Sequence, residues 1–192
     1  MGKGNVSIFV PHLGCPYQCA FCDQRTISGQ QTAPTPQQAA QICEDALAWL
    51  GPRAREAEVA FFGGSFTAIE PSYRDALLFA VQPYIGGNGF RGIRISTRPD
   101  CIHGAVLDKL KRSGVTAIEL GVQSMDDVVL AQNGRGHTAV DTIRASQLIR
   151  SYGFKLGHQM MVGLYEDSPQ TIWNTAQVLS QLMPDTMRIY PV

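Results

Sequence analysis

Val6-Ser7-Ile8-Phe9-Val10, followed at once by Pro11-His12-Leu13-Gly14-Cys15-Pro16-Tyr17-Gln18-Cys19-Ala20-Phe21-Cys22, is the stretch on which the fold turns. The first five residues are a strand-like apolar run that ends at a proline, and the rest is a loop with a C-x3-C-x2-C arrangement. Spacers this short curl the loop around one compact site. Three thiolates suit a cubane of four irons. Full ligation takes four cysteines, so three leave one iron with open coordination positions for a substrate or cofactor. A structural zinc site completed by His12 or Cys43 is the alternative, although zinc sites usually show two paired ligand knuckles and this chain shows one triplet.

Outward from that stretch, apolar strand-like segments alternate with helical ones. Six strands are predicted, at Val6–Val10, Val59–Phe62, Gly92–Ser96, Ala117–Val122, Lys155–Val162 and Thr186–Tyr190. Thr35-Pro36-Gln37-Gln38 is a capped helix start, and Ala39, Ile42, Cys43, Ala46, Leu47 and Leu50 follow at helical spacing. Tyr73 to Tyr84 repeats the pattern, as do Ile102, Val106, Leu107 and Leu110. Thr138 caps a further helix stopped by Gly153, and Ser168-Pro169 opens another carrying Ile172, Ala176, Leu179 and Met183. Strands alternating with helices predict a parallel sheet with outer helices, either a partial (β/α)6 barrel of the TIM type or an open doubly wound sheet. In both, function lies in the loops after the C-terminal ends of the strands. The chain stops at Pro191-Val192, directly after a strand that needs a covering helix, and so reads as a piece of a longer protein.

The 192 residues, 44% of them hydrophobic, suit one domain over residues 1–192 with a sizeable core. Sixteen basic residues balance sixteen acidic ones, so net charge makes no case for a polyanion partner, though Arg91, Arg94, Arg98, Lys109, Lys111 and Arg112 form a local basic stretch. No apolar run approaches the length of a membrane span and no signal sequence is evident, which points to the cytoplasm. Three of the five cysteines fall within eight residues, which favours a metal site over disulfides; Cys43 and Cys101 read as packed or incidental thiols.

The cysteine triplet with Phe21 just before its last member resembles the radical S-adenosylmethionine (SAM) superfamily. A Gly-Gly pair after the second strand is that family's second hallmark, and Phe61-Phe62-Gly63-Gly64-Ser65-Phe66 stands there. Ser96-Thr97-Arg98-Pro99-Asp100, Glu119-Leu120-Gly121-Val122-Gln123-Ser124 and Gly134-Arg135-Gly136-His137-Thr138 resemble the branch of the Elongator catalytic subunit, which modifies the wobble uridine of tRNA. Oxygen-independent coproporphyrinogen oxidases share the Gly-Val-Gln element and are the next relatives.

The resemblance implies the partial barrel, a [4Fe–4S] cluster on Cys15, Cys19 and Cys22, and SAM as cofactor. SAM would be cleaved reductively to a 5′-deoxyadenosyl radical that abstracts hydrogen from the substrate. It implies that Gly63, Gly64 and Ser65 meet the SAM amino group, that Gln123 and Arg135 hold its carboxylate and nearby polar groups, and that Ser96 and Gln159 contact the ribose. Ser96 departs from the family, where an acidic residue is common, and a hydroxyl cannot supply that charge. No protein acid–base pair is implied. The implied partners are tRNA and an electron donor such as a flavodoxin or ferredoxin. A coproporphyrinogen oxidase-like activity on a small molecule and a non-catalytic, metal-stabilised RNA-binding module are the alternatives. Glu119 stands inside an apolar strand, where a charge needs a partner, and either lines the barrel mouth or points into it.

Overall fold

The computed structural model describes residues 4–11, 13–22, 29 and 32–192. Strands β1 (Asn5–Val10), β2 (Glu58–Gly63), β3 (Ile93–Thr97), β4 (Val115–Gln123), β5 (Lys155–Val162) and β6 (Thr186–Pro191) form one six-stranded sheet in sequence order. Every neighbouring pair is parallel. This order decides between the two architectures. A doubly wound sheet reverses its strand order at a switch point and carries helices on both faces. Here the order never reverses, so successive right-handed crossovers keep the helices on one face and the sheet curls into a half-barrel.

The helices are α1 (Pro36–Leu50), α2 (Pro71–Val81), α3 (Gly104–Arg112), α4 (Asp127–Gln132), α5 (Ala139–Ser151) and α6 (Pro169–Gln181). Capping boxes at Thr35, Thr138 and Ser168 start α1, α5 and α6 where the sequence predicts. Two predictions needed correction. Ile102 precedes α3 rather than opening it, because Pro99–Cys101 forms a 3-10 turn and His103 becomes the cap, its Nδ1 accepting from the Val106 N–H at 3.4 Å. The six-residue α4 was not foreseen, since it is too short to show a helical period; Asp126 starts it by accepting from Val128 and Val129 at 2.9 and 3.1 Å.

The convex face of the sheet carries the core. Ile8, Phe61, Ile95, Ile118, Leu120 and Leu156 are buried there with Cys43, Leu77, Leu107, Leu110, Ile149 and Leu179 from the helices. Side chains alternate along each strand, so the residues between these point into the half-barrel. There the chain places charge. Arg94 bridges Glu58 at 2.7 Å and Glu119 at 2.9 Å; Arg91 meets Glu58 at 2.8 Å and Arg188 meets Glu119 at 3.1 Å. Glu119 thus points inward and is paired. Burial pushes the Glu58 carboxyl up, but Arg94 and Arg91 outweigh it and hold it below the ordinary carboxylate range. These contacts correct one expectation: Arg91, Arg94, Arg98, Lys109, Lys111 and Arg112 do not form a basic face. Arg91 and Arg94 serve Glu58, Arg98 pairs with Asp100, Lys109 with Asp75, and Lys111 donates to the Tyr152 carbonyl. Among the described residues, no helix is long and apolar enough to cross a membrane.

His158 on β5 is fully enclosed, with Nε2 2.9 Å from Ser146 Oγ on α5, and burial pushes its pKa down from 6.5 to about 4. Below pH 6.5 the unfolded chain takes up a proton that the folded chain refuses. Stability is therefore expected to fall as pH drops from about 6.5 towards about 4, by on the order of 3 kcal/mol from this residue. Thermal unfolding at pH 7 and pH 5 checks it. His158→Gln, which keeps a partner for Ser146, is expected to shrink the difference in midpoint; an unchanged difference would assign the acid sensitivity to other groups.

Candidate functional site

The loop after β1 brings Cys15, Cys19 and Cys22 to the C-terminal end of the strands, where a parallel α/β fold keeps its chemistry. Cys19 is buried and the other two are half-buried. The Cys22 N–H donates to the Cys19 carbonyl at 3.1 Å, closing a tight turn, and the Ala20 N–H donates to the Asn133 carbonyl at 3.2 Å. Asn133 ties three loops together. Its Nδ2 donates to the Val129 and Tyr165 carbonyls at 2.7 and 3.0 Å, and its Oδ1 accepts from the Tyr165 N–H at 3.2 Å.

Two glycines let neighbouring loops press on the cysteine loop. A Cβ on Gly64 would stand 1.9 Å from the Leu13 carbonyl oxygen, and one on Gly136, whose φ is +71°, would stand 2.3 Å from the Tyr17 ring. No side chain fits at either place. The bare Cα of Gly64 therefore faces the protein's own cysteine loop, whereas the sequence argument gave it a close approach to a ligand.

Three polar side chains end in the space between these loops with buried atoms that have no hydrogen-bond partner among the described residues: Ser96 Oγ, Gln123 Oε1 and Arg135 Nε. An unmatched buried polar atom costs about 1–3 kcal/mol, so three of them in one site call for a ligand or ordered water. Gln123 is held there by strain. Its φ is +70°, at a point where the β4–β5 register slips so that Gly121 faces Gln159 and Gln123 faces Met160. Sequence periodicity cannot show such a bulge.

Charge gathers at the same place. Arg135 is buried; its Nη1 lies 3.2 Å from Cys19 Sγ and its Nη2 donates to the Gly121 carbonyl. Burial holds its guanidinium below the ordinary arginine range, and no carboxylate pairs with it among the described residues. Arg98 is forked onto Asp100 with both contacts at 3.0 Å, donates to the Arg135 carbonyl and lies 5.1 Å over the Tyr17 ring. The Cys15 thiol is pushed up by burial, while the Ser65 backbone N–H and the positive charges of Arg98 and Arg135 draw it down. The site therefore favours a guest that brings negative charge and hydrogen-bonding groups.

All the predicted site residues line one cavity of about 140 Å³: Cys15, Cys19, Cys22, Gly63, Gly64, Ser65, Ser96, Gln123, Arg135 and Gln159. Two are already engaged. Ser65 Oγ lies 2.8 Å from Thr97 Oγ1, and Gln159 Nε2 donates to Glu119 Oε2 at 2.9 Å. Cys43 is packed in the core and cannot complete a metal site here, and His12 lies outside the described residues. Among those residues no group of three or more His, Cys, Asp or Glu side chains is placed to hold a metal ion. Sequence reasoning missed Tyr17, Thr97, Arg98 and Asn133. Arg98 stood inside a quoted motif but was counted with the basic stretch, and Asn133 sits directly before the Gly-Arg-Gly loop with no chemical signature of its own. A second cavity, of about 590 Å³, adjoins the first through Phe21, Cys22, Gly63, Ser96 and Gln159 and runs along the concave face to Phe9, Phe62, Met161, Arg188 and Tyr190.

Known proteins resemble this chain along its whole length. A tRNA uridine(34) acetyltransferase of Dehalococcoides mccartyi is 25% identical over 225 residues, covering 99% of this chain and 49% of the relative. The oxygen-independent coproporphyrinogen III oxidase of Cereibacter sphaeroides is 27% identical over 190 residues, covering 97% of this chain and 42% of the relative. The chain thus spans less than half the length of these curated relatives. Among solved structures, archaeal Elp3 of Methanocaldococcus infernus superposes with a TM-score of 0.73 at 23% identity over 98% of this chain and 45% of that one, which supports the half-barrel. The family model described as the Radical SAM superfamily matches residues 9–179, from the first strand into the last helix, and the chain belongs to that superfamily.

Proposed function

We propose that this chain holds a [4Fe–4S] cluster on Cys15, Cys19 and Cys22, binds SAM beside it, and serves in the modification of a tRNA uridine in the cytoplasm. The observation that carries the proposal is the meeting of three thiols with three unmatched buried polar atoms in one cavity. Bound there, the two groups would supply a one-electron cleavage of SAM and a 5′-deoxyadenosyl radical able to abstract hydrogen.

The rest falls to the chain's own residues. Cys15, Cys19 and Cys22 would ligate three irons and leave one iron for SAM. Gln123 Oε1 can accept from the ligand's ammonium and Arg135 Nε can donate to its carboxylate, which fits the two unmatched atoms to opposite ends of one amino-acid group. Gly63 and Gly64 offer backbone groups, while the Ser65 hydroxyl, bound to Thr97, would act through its position. Phe21 and Tyr17 cover the cavity and limit water.

Anaerobic reconstitution is expected to give about four irons and four sulfides per chain. Alanine at Cys15, Cys19 or Cys22 should abolish the cluster and the formation of 5′-deoxyadenosine, whereas alanine at Cys43 or Cys101 should spare both. A stoichiometric zinc in the protein as isolated, with no charge-transfer absorbance after reconstitution, would overturn the proposal.

Arg135 lies far from the cysteine loop in sequence, which on its own suggests that losing it would leave the cluster alone. The 3.2 Å contact with Cys19 Sγ argues otherwise. Arg135→Ala is expected both to weaken SAM binding, by about tenfold or more for one charge-assisted contact, and to lower iron retention. Equilibrium binding and iron analysis on one preparation check the two effects. Full iron content with unchanged SAM affinity would remove Arg135 from the site.

For the substrate, the name of the Dehalococcoides relative supports tRNA. The coproporphyrinogen III oxidase relative favours a second reading, a tetrapyrrole precursor with several carboxylates. The second cavity is less suited to that, because its lining carries one cation, Arg188, which Glu119 already holds. With the basic stretch engaged in internal pairs, filter binding should show tRNA affinity at low salt that falls only gently as salt rises. No affinity at about 50 mM salt would leave the small-molecule reading.

A further inference from the structure

We infer that Glu119 is a positioning residue that fixes the polarity of the Gln159 amide, turning Gln159 Oε1 into an acceptor for a ribose hydroxyl of bound SAM. The inference rests on the SAM reading above. Glu119 is 1% exposed and cannot reach a ligand itself. Its Oε1 accepts from Arg94 at 2.9 Å and Arg188 at 3.1 Å, and its Oε2 accepts from Gln159 Nε2 at 2.9 Å.

A glutamine amide can present either end, and only its surroundings decide which. An ion-paired carboxylate accepts and never donates, so the end facing Glu119 must be the NH2. The other end is then the carbonyl. Gln159 lines both cavities, at the boundary where Ser96 Oγ also lies without a partner among the described residues. The strand register brings these residues together: Ser96 pairs with Glu119 across β3–β4, Glu119 pairs with Gly157 across β4–β5, and Gln159 follows Gly157 on the same face. Gly157 makes the room, since a Cβ there would stand 2.7 Å from Glu119 Cγ.

Ribose hydroxyls need acceptors, and Ser96 in the place of an acid offers only a neutral one. The acid stands one strand further on, out of reach, and acts through the amide. Its charge orients Gln159 without facing the ligand, at a distance that leaves Arg188 in the larger cavity also fixed by Glu119.

The test is a double-mutant cycle on the cluster-reconstituted full chain, with S-adenosylhomocysteine as the calorimetric probe because it keeps the ribose and is not cleaved. Glu119→Gln and Gln159→Leu are each expected to weaken binding about tenfold, the loss of one hydrogen bond to a ligand, and the double variant no further than either. Combining Glu119→Gln with Gln159→Glu exchanges donor and acceptor between the two positions and is expected to return affinity to within about threefold. Additive losses, or an exchanged pair as weak as Glu119→Gln alone, would overturn the positioning role even if thermal midpoints fall. If Glu119→Gln does not fold, the exchanged pair, which restores the contact, decides by the same threshold. A wild-type protein that holds its cluster but does not bind the probe would instead sink the SAM reading.

Discussion

The Arg94 guanidinium, held between Glu58 and Glu119 at 2.7 and 2.9 Å, is the contact on which the interior of this half-barrel depends. The convex face of the sheet takes the helices and with them the core, so the concave face needs another way to stay ordered. Charge does this at a risk. Removing one partner from a buried ion pair typically costs about 3–5 kcal/mol because the other is stranded, although a well-packed apolar replacement of the whole set can be as stable. The set is therefore weak evidence of stability and better evidence of specification. It joins β2, β3, β4 and β6 through side chains as well as through the backbone ladder, and it ends beside the cavities where direction matters.

At the mouth, the organising principle changes from charge to proximity. The Gly63-Gly64 turn and the Gly134-Arg135-Gly136 loop come from opposite sides onto the cysteine loop, at distances that no Cβ would permit. Asn133 and the Ala20 N–H complete the fastening. Three thiols on an untethered loop would sample many arrangements, and ordering them on ligand binding would cost conformational entropy of about 1–2 kcal/mol per residue. Loops already in contact reduce that cost. The glycines thus have a structural reading alongside any contact with a ligand, and both follow from the same missing side chain.

Much of this was legible in the sequence because it was periodic or chemically distinctive. All six strands fall within a few residues of their predicted places, and Lys155–Val162 matches at both ends. Caps at Thr35, Thr138 and Ser168 were visible because a capping residue and its partner stand three apart in the chain. Barrel and open sheet could not be separated, since strand order is a property of pairing and every βα repeat looks alike to periodicity. The partners of Glu119 were hidden for a related reason: Arg94, Gln159 and Arg188 lie 25, 40 and 69 positions away and meet it only once the strands are in register. The basic stretch misled because neighbours in sequence alternate faces on a strand, so Arg91, Arg94 and Arg98 were never candidates for one surface.

Arg135 carries the argument one step further. A buried guanidinium without a carboxylate is among the less stable arrangements a fold can adopt, and Arg98, whose own charge is matched by Asp100, stands close enough to add repulsion. Cys19 Sγ at 3.2 Å is the one side-chain atom here able to carry the opposing charge. As a thiol it does so poorly; as a thiolate ligand it would do so well, and a ligand carboxylate on the unmatched Nε would complete the neutralisation. The strain in the site is thus of the kind that binding relieves, and the Arg135 environment couples the two events: a guest at one end of the guanidinium strengthens the case for charge at the other. Glu119 shows the complementary solution on the same wall, an acid matched by two arginines and an amide, with no valence left for a guest. Saturated charge orients, and unsaturated charge binds.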